Sequence, residues 1–396
     1  MRELEVLDSG HLKLEWEERK AFFAEELEEQ VRSSVKQMLE QALEAERTDR
    51  LAVGRYVRDV ETRRDYRNGY YRRDLGTRLG LLCGLRVPRT RRGYRSELLP
   101  RYQRRQEPVH ALIREAFLRG ISTRQVGPLL EPVLGEAYSA QTISRIARGL
   151  DGAVEQFHRR CLRDNYLYLF LDGVVLKVRD VGGKVRRRVV LAAYGITPCG
   201  RRELLAYRLV QGESEAAWTA FLQDLYLRGL AGGLLRLIVT DGSPGLAAAV
   251  GLVYPQARVQ RCWAHKLRNI GDKVPKKEGS CVGQAAAIYR AQNRGQAQRA
   301  FRLWAARWRK RRPAAVACVE RDLQELLSFF DVPQAHWKKV RTTNVIERAF
   351  REVRRRTRPM SSFTNPASCE RIIFGVMAHL NRSYESKPLQ EFTQHA

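Results

Sequence analysis

The chain has 396 residues, 44% of them apolar, enough for roughly two to three packed domains, and this excludes a disordered protein. Lys and Arg number 72 against 44 Asp and Glu, and the net charge of +28 points to a polyanionic partner, nucleic acid first. No apolar run approaches the length of a membrane span, the start "MRELEVLDSGHLKLEWEERK" is too charged for a secretory signal, and seven cysteines form no CxxC pair, so a reduced, cytoplasmic protein with no membrane partner is expected.

Residues 1–50 read as a helical self-association region, because strong helix formers run from Leu14 to about Glu46 with apolar residues at three-and-four spacing. Packing onto its own chain is the alternative role. Residues 51–107 carry sixteen Arg, no Lys and six acids, with aromatics interleaved in "DYRNGYYRRD" and "RGYRSELLPRYQRR". Arg forks two donors onto a phosphate or a guanine edge, so this segment reads as a DNA-contact surface with Arg72, Arg73, Arg89, Arg91, Arg104 and Arg105 as candidates. "LRVPRTRRG" reads as a short extended piece and a turn.

Residues 108–160 turn helical: "PVHALIREAFLRG", then "TRQVGPLLEPVLG" with Ser122 as N-cap, then "AQTISRIARGLDGAVEQFHRR" with Ser139 as N-cap. Two short helices across a Gly-containing turn resemble a helix-turn-helix, in which Gln141, Ser144, Arg145 and Arg148 are the reading side chains; any three-helix unit gives the same pattern. From 161 to 262, "YLYLFLDGVVLKVRD", "KVRRRVVLAAYGITP" and "RRELLAYRLV" read as three consecutive antiparallel strands. A helix from Ser214 to about Arg228, the buried-strand run "LLRLIVTDG", a helix with Pro244 in its first turn and the strand "ARVQRC" follow. That order is the order of a ribonuclease H-like α/β core. Residues 263–340 read as an all-α insertion, and 341–396 as the last part of the core, opening on the helix "TTNVIERAFREVRRRTR" with Asn344 as its cap.

Asp172 falls within or at the end of the first strand and Asp241 at the end of the fourth, each followed by Gly. A lone Asp-Gly is usually a turn. In this strand order, however, the first and fourth strands are neighbours, so the two carboxylates share one point of the sheet and repel unless a cation lies between them. Hard oxygen ligands select Mg²⁺ or Mn²⁺. Glu347 is the best third acid, opening the helix after the insertion, with a surface partner of Arg348 or Arg351 as its bland reading; Glu352 is a rival, five residues on and on another face. Two ions held by Asp172, Asp241 and Glu347 suit phosphoryl transfer on DNA without a covalent protein intermediate. Cys262 and His265 form a C-x₂-H pair that lacks the four ligands of a structural zinc, which favours packing or orienting near the site. Trp304, Trp308 and Trp337 are core residues or, alternatively, platforms for an unpaired base.

The strings "FLDGV", "VTDGSPGL", "QRCWAHKLRN" and "RTTNVIERAFREVRRRTRPMSSF" resemble the catalytic signature of the bacterial Mutator-type insertion-sequence transposases. Upstream, "YRNGYYRR", "LRVPRTR", "RYQRR" and "GISTRQV" resemble the same family's N-terminal region, and the likeness runs from Tyr66 to Asn381. The resemblance implies a DDE transposase with a ribonuclease H-like core interrupted by a helical insertion. It implies Asp172, Asp241 and Glu347 as the acids, in preference to Glu352, with Cys262 and His265 as the C-x₂-H pair and Arg354 as the basic residue seven places after the glutamate. It further implies two Mg²⁺ (or Mn²⁺) ions, recognition of terminal inverted repeats in double-stranded DNA, 3′-hydroxyl release, and strand transfer, commonly through a circular intermediate. A dimer or higher oligomer is expected because two ends must meet. Between Arg341 and Arg358 seven Arg and two Glu give the third acid's helix a basic face, with Asn344, Arg348 and Arg354 as candidate DNA contacts. The rivals are a structure-selective nuclease on the same fold and a catalytically silent DNA-binding protein derived from a transposase.

Overall fold

The computed structural model describes residues 9–59, 61–100, 104–180, 182–358 and 362–393. The first eight residues of the charged start, and parts of "RYQRR" and "RTRPMSSF", lie outside them. The chain is a mixed α/β protein that forms two compact units, Met1–Phe117 with Ile121–Arg148, and Leu118–Gly120 with Gly149–Ala396. Among the described residues no helix is long and apolar enough to cross a membrane.

In the first unit a single helix, α1 (Ser9–Leu51), covers the segment expected as one helix or two. Its C-terminal half packs on an antiparallel hairpin, β1 (Arg67–Thr77) and β2 (Gly80–Thr90), through Leu43, Leu75, Leu85, Val87 and Leu99. The hairpin was not foreseen as such: residues 51–107 were expected to hold only the short extended piece "LRVPRTRRG" and a turn, whereas two eleven-residue strands form, and their exposed positions mix Arg72, Arg86 and Arg89 with Asn68, Gly69, Tyr70, Asp74 and Cys83, so no clean alternation marks them. Buried Arg47 joins helix to hairpin, bonding Glu44 at 2.6 Å, the Tyr70 hydroxyl at 3.0 Å and the Gly69 carbonyl at 3.2 Å. Three helices follow, α2 (Glu107–Leu118), α3 (Thr123–Leu134) and α4 (Ala140–Arg148), around Val109, Ile113, Val126, Leu130 and Ile143. Gly135 ends α3 at φ 68°, the left-handed conformation that a tight helix-to-helix turn requires. Ser139 accepts the Thr142 N–H at 3.2 Å, whereas Ser122 holds the cap position of α3 with its hydroxyl on the Gln125 side chain instead.

The run expected as one helix after Ser139 breaks at Gly149, and α5 (Asp151–Arg159) begins the second unit. Gly149 carries no side chain to hold the helix, and Asp151 is drawn away to pair with buried Arg371 at 3.0 Å. The sheet comprises β3 (Tyr168–Arg179), β4 (Val185–Ile196), β5 (Arg202–Val210), β6 (Leu237–Thr240) and β7 (Arg258–Arg261), in spatial order β5-β4-β3-β6-β7. The first three strands are antiparallel; β6 and β7 run parallel to β3. Leu169, Leu171, Leu191 and Leu205 face α6 (Glu215–Leu227) and α7 (Pro244–Val253), meeting Trp218, Phe221, Leu222 and Leu246.

Residues 263–340 are helical, with α8 (Trp263–Gly271), α9 (Ser280–Tyr289), α10 (Arg294–Trp308), α11 (Pro313–Arg321), α12 (Leu323–Leu326) and α13 (Trp337–Val340). Trp304 and Trp308 are core residues whose indoles donate to the Cys281 carbonyl at 3.0 Å and the Gln284 side chain at 2.9 Å. Trp337 is half-buried and donates to the Val332 carbonyl at 2.8 Å. The chain then returns through α14 (Asn344–Thr357), α15 (Pro366–Glu385) and α16 (Gln390–Thr393). Tyr207 of the sheet donates to the Glu370 carbonyl at 2.9 Å, and the Tyr194 ring meets Tyr384 edge-on, so α15 covers the face opposite α6 and α7.

Candidate active site

Side chains alternate along a strand, so Asp172 shares a face with Tyr168 and Phe170, away from Leu169 and Leu171. That is the face covered by α14 and α15. Asp172 and Gly173 lie in mid-strand, each paired across to β4 (Ala192 and Leu191), which removes the turn reading for this Asp-Gly. Parallel pairing of β3 with β6 aligns Phe170 with Val239, and the same register carried two residues on sets Asp172 level with Asp241. Asp241-Gly242 is a true turn: Gly242 has φ 86°, and its carbonyl accepts from the Arg261 guanidinium at 2.9 Å. Asp241 accepts the Ser243 N–H at 2.9 Å, which fixes its carboxylate at the start of α7.

Asp172 is buried. Burial pushes its carboxyl up to about 7, with the charges of Asp241 and Glu347 adding to the rise and the Gly173 N–H and His265 opposing it. The charges of Asp241 and Glu347 thus both reach Asp172 in the middle of β3. Glu347 lies in the first turn of α14. The cap position belongs to Thr343, one residue before the Asn344 expected there; buried and chemically matched to a carboxylate, its hydroxyl donates to Glu347 Oε1 at 3.0 Å. Glu352, the rival third acid, pairs with Arg355 at 3.0 Å.

The Thr343 position is itself anchored by the C-x₂-H pair. Its N–H donates to Cys262 Sγ at 3.2 Å, and its hydroxyl stands 3.3 Å from that sulfur and 3.4 Å from His265 Nδ1. Burial raises the Cys262 thiol, but hydrogen bonds from His265 and Thr343 outweigh it and hold the thiol below its ordinary value. The same bond to Cys262 leads the causes that hold His265 above its ordinary value, against burial. Among the described residues one trio of potential ligand atoms lies within 4.8 Å of one another, and it is Cys262, His265 and Glu347, not the three acids. Glu347 is the partner of the C-x₂-H pair that spacing along the chain did not reveal. Three ligands remain one short of a closed structural zinc site.

A further acid, Glu213, was missed. It lies just before α6, its carboxylate fills the space a side chain at Gly173 would occupy, and burial followed by the Asp241 charge raises its pKa. It sits in the polar string "QGESE", which shows no period or motif. As for a metal, Asp172, Asp241 and Glu347 offer hard carboxylate oxygens, and Asp172, raised first by burial and then by the charges of the other two acids, is a carboxylate that a divalent cation would relieve.

The DNA-contact candidates divide. Arg72, Arg89, Arg91 and Arg104 are exposed, and Arg73 is half-buried. All of these but Arg91 line, with Arg105, a concavity of about 960 Å³ against β2. Arg105 differs, because Glu136 pairs with it at 3.0 Å and its guanidinium lies over Tyr138. The interleaved aromatics serve the hairpin: Tyr70 is flanked by Arg47 and Arg86, and Tyr71 by Arg89, at 4.6 to 4.8 Å. Gln141, Arg145 and Arg148 are exposed along α4 and Ser144 is half-buried; Asn344, Arg348 and Arg354 are exposed on α14.

Against known proteins, residues 8–387 match the family model described as "Transposase, Mutator family". The chain is 38% identical to the transposase for insertion sequence element ISRM5 of Rhizobium meliloti, over 87% of this chain and 85% of that one. It is 32% identical to the transposase for insertion sequence element IS905 of Lactococcus lactis (90% of each chain). Identity is 33% to the transposase for insertion sequence element IS256 in transposon Tn4001 of Staphylococcus aureus, over 86% of this chain and 87% of that one. With nearly its whole length matched, the chain belongs to the Mutator family of transposases.

Proposed function

We propose that this transposase is of the DDE type, with a ribonuclease H-like core in which Asp172, Asp241 and Glu347 cut the ends of an insertion sequence and join the freed 3′-hydroxyl to target DNA. The observation that carries the reading is the register of β3 with β6, which sets Asp172, buried in the middle of β3, level with Asp241, while the charge of Glu347 also reaches Asp172. Two Mg²⁺ or Mn²⁺ ions, when held by these carboxylates, supply Lewis acidity and charge neutralisation for phosphoryl transfer. The chain's own part is positioning. Asp172 is held by its strand, Asp241 by the Ser243 N–H, and Glu347 by the Thr343 hydroxyl, itself braced on Cys262. Arg348 and Arg354 on α14 neutralise the strand at the cut.

The Arg-rich concavity of the first unit holds phosphates of the terminal inverted repeats, and α4 reads bases with Gln141, Arg145 and Arg148. A second copy pairs through α1, where Phe22, Phe23, Leu27 and Val31 are exposed. The reaction takes place in the cytoplasm on the nucleoid.

The test uses purified protein, Mg²⁺ and labelled element-end DNA. Asp172→Asn, Asp241→Asn and Glu347→Gln are each expected to lower cleavage and joining at least about a hundredfold. Wild-type activity in any of the three would overturn the assignment. Cleavage with no joined product would make the protein a nuclease instead.

A further inference from the structure

We infer that a cavity beside the third acid holds one unpaired nucleotide of the strand being cut, its phosphate on Lys338 and Arg341 and its base against the Tyr289 and Tyr384 side of the pocket. The inference rests on the reading of this chain as a DNA-cutting enzyme.

The cavity measures about 340 Å³, the low end for a small-molecule pocket and far too small for a duplex. Arg202, Lys338, Arg341 and Arg348 converge on it without an acidic residue in its lining, and among the described residues none of the four forms an ion pair. Nearby cations behave otherwise. Lys339, also in the lining, pairs with Glu391 at 3.2 Å, and in the insertion Arg294 pairs with Asp331, Arg309 with Glu320 and Arg312 with Glu278, at 2.7 to 2.8 Å. Four cations gathered in one concavity repel, and half-buried Arg341 loses hydration with no carboxylate in return. Burial accordingly holds the Arg341 pKa below its ordinary value. An anion is the partner such a lining lacks.

The flat surfaces argue for a base as well as a phosphate. The Arg341 guanidinium lies 5.0 Å from the centre of the Tyr289 ring and that of Arg202 lies 4.3 Å from the centre of the Tyr384 ring, so flat cationic and aromatic groups sit together in the lining. Unpaired bases stack on such planes and on aromatic rings, at about 1–3 kcal/mol per base. The position argues for the cut strand. Asn344, Val345 and Arg348 of α14 line the cavity, on the same helix whose first turn carries Glu347. Of the three tryptophans first considered for stacking, Trp304 and Trp308 are buried among the helices of residues 263–340, and Trp337 is packed edge-on against Phe329 and Phe330.

The test measures binding by full-length protein in Ca²⁺, which permits binding without cutting. The probes are a short duplex ending at the element boundary, either blunt or with two unpaired nucleotides that carry 5-iodouracil. The wild type is expected to bind the tailed duplex about tenfold more tightly, as one stacked base gives. Photo-crosslinks from the tail should map to the peptides bearing Tyr289 or Tyr384. In Lys338→Gln and in Arg341→Gln the ratio should fall towards one; Lys338 is exposed, so its loss does not disturb packing. A wild-type ratio of one, a ratio unchanged in both variants, or crosslinks confined to residues 67–105 would overturn the inference. Because no cutting is involved, these results stand apart from the acid substitutions. Normal cleavage by Asp172→Asn would instead overturn the underlying reading.

Discussion

Asp172→Asn should stabilise the metal-free protein at the same time as it abolishes cutting. The carboxyl is held at about 7 against an ordinary 3.8, and ionising it inside the fold costs at most roughly 4 kcal/mol. The folded-state value is the raised one, so this contribution is most favourable below pH 4 and is lost as pH climbs to about 7. Asparagine keeps the shape, accepts the Gly173 N–H as the carboxylate does at 2.8 Å, and carries no charge to bury. Local relaxation reduces the gain to about 1–2 kcal/mol, which for a cooperative unit the size of the second one shifts the melting temperature by roughly 2–8 °C. Thermal unfolding of both proteins in EDTA at pH 8 and pH 5 is the assay. The variant should melt higher at pH 8, and its advantage at pH 5 should be less than half as large. Adding Mg²⁺ at pH 8 should raise the wild type and barely move the variant. A variant that melts lower than wild type at pH 8, or an advantage equal at both pH values, would refute the account of a strained acid cluster.

Thr343→Val removes the hydroxyl that holds Glu347, so kcat should fall about 10–100-fold with the Km for DNA little changed, and Thr343→Ser should recover most of it. Arg47→Met strips α1 of its bonds to Glu44, Gly69 and Tyr70; the first unit should lose about 2–4 kcal/mol, and limited proteolysis should open the hairpin near Arg78 before the sheet of the second unit is cut. A side chain at Gly127 would overlap the Tyr138 carbonyl where α3 meets α4, so Gly127→Ala should cost about 1–3 kcal/mol by melting and weaken binding of element ends.

The second unit was readable because its elements obey strong local rules. β-branched and aromatic runs broken by Gly182-Gly183 and by Pro198-Cys199-Gly200 mark three strands, and Ser214 and Pro244 mark the starts of α6 and α7. The placement of Asp172 and Asp241 followed from strand order alone. What stayed hidden depends on contacts between distant residues. In β1 the tyrosines and arginines come as adjacent pairs, Tyr70-Tyr71 and Arg72-Arg73, and both types are amphipathic, so no apolar period marks its inner face. The break at Gly149 is set by Arg371, far along the chain, and the cap of α14 moves to Thr343 because Cys262 and Glu347 bind it there. Glu213 became visible only when Gly173 was seen to leave room for it.

The insertion separates Asp241 from Glu347 by roughly a hundred residues, and closing so long a flexible loop costs on the order of 4 kcal/mol. Its two ends nevertheless touch: the Trp263 N–H donates to the Arg341 carbonyl at 3.0 Å, and Arg258 on β7 pairs with Asp331 at 2.5 Å. A folded insertion whose entry and exit are joined behaves, for the strands and α14, as a connection of a few residues. Contour length and catalytic geometry are thereby uncoupled, and the inserted body is free to grow, shrink or be replaced so long as the step from Cys262 to Thr343 remains a single hydrogen bond.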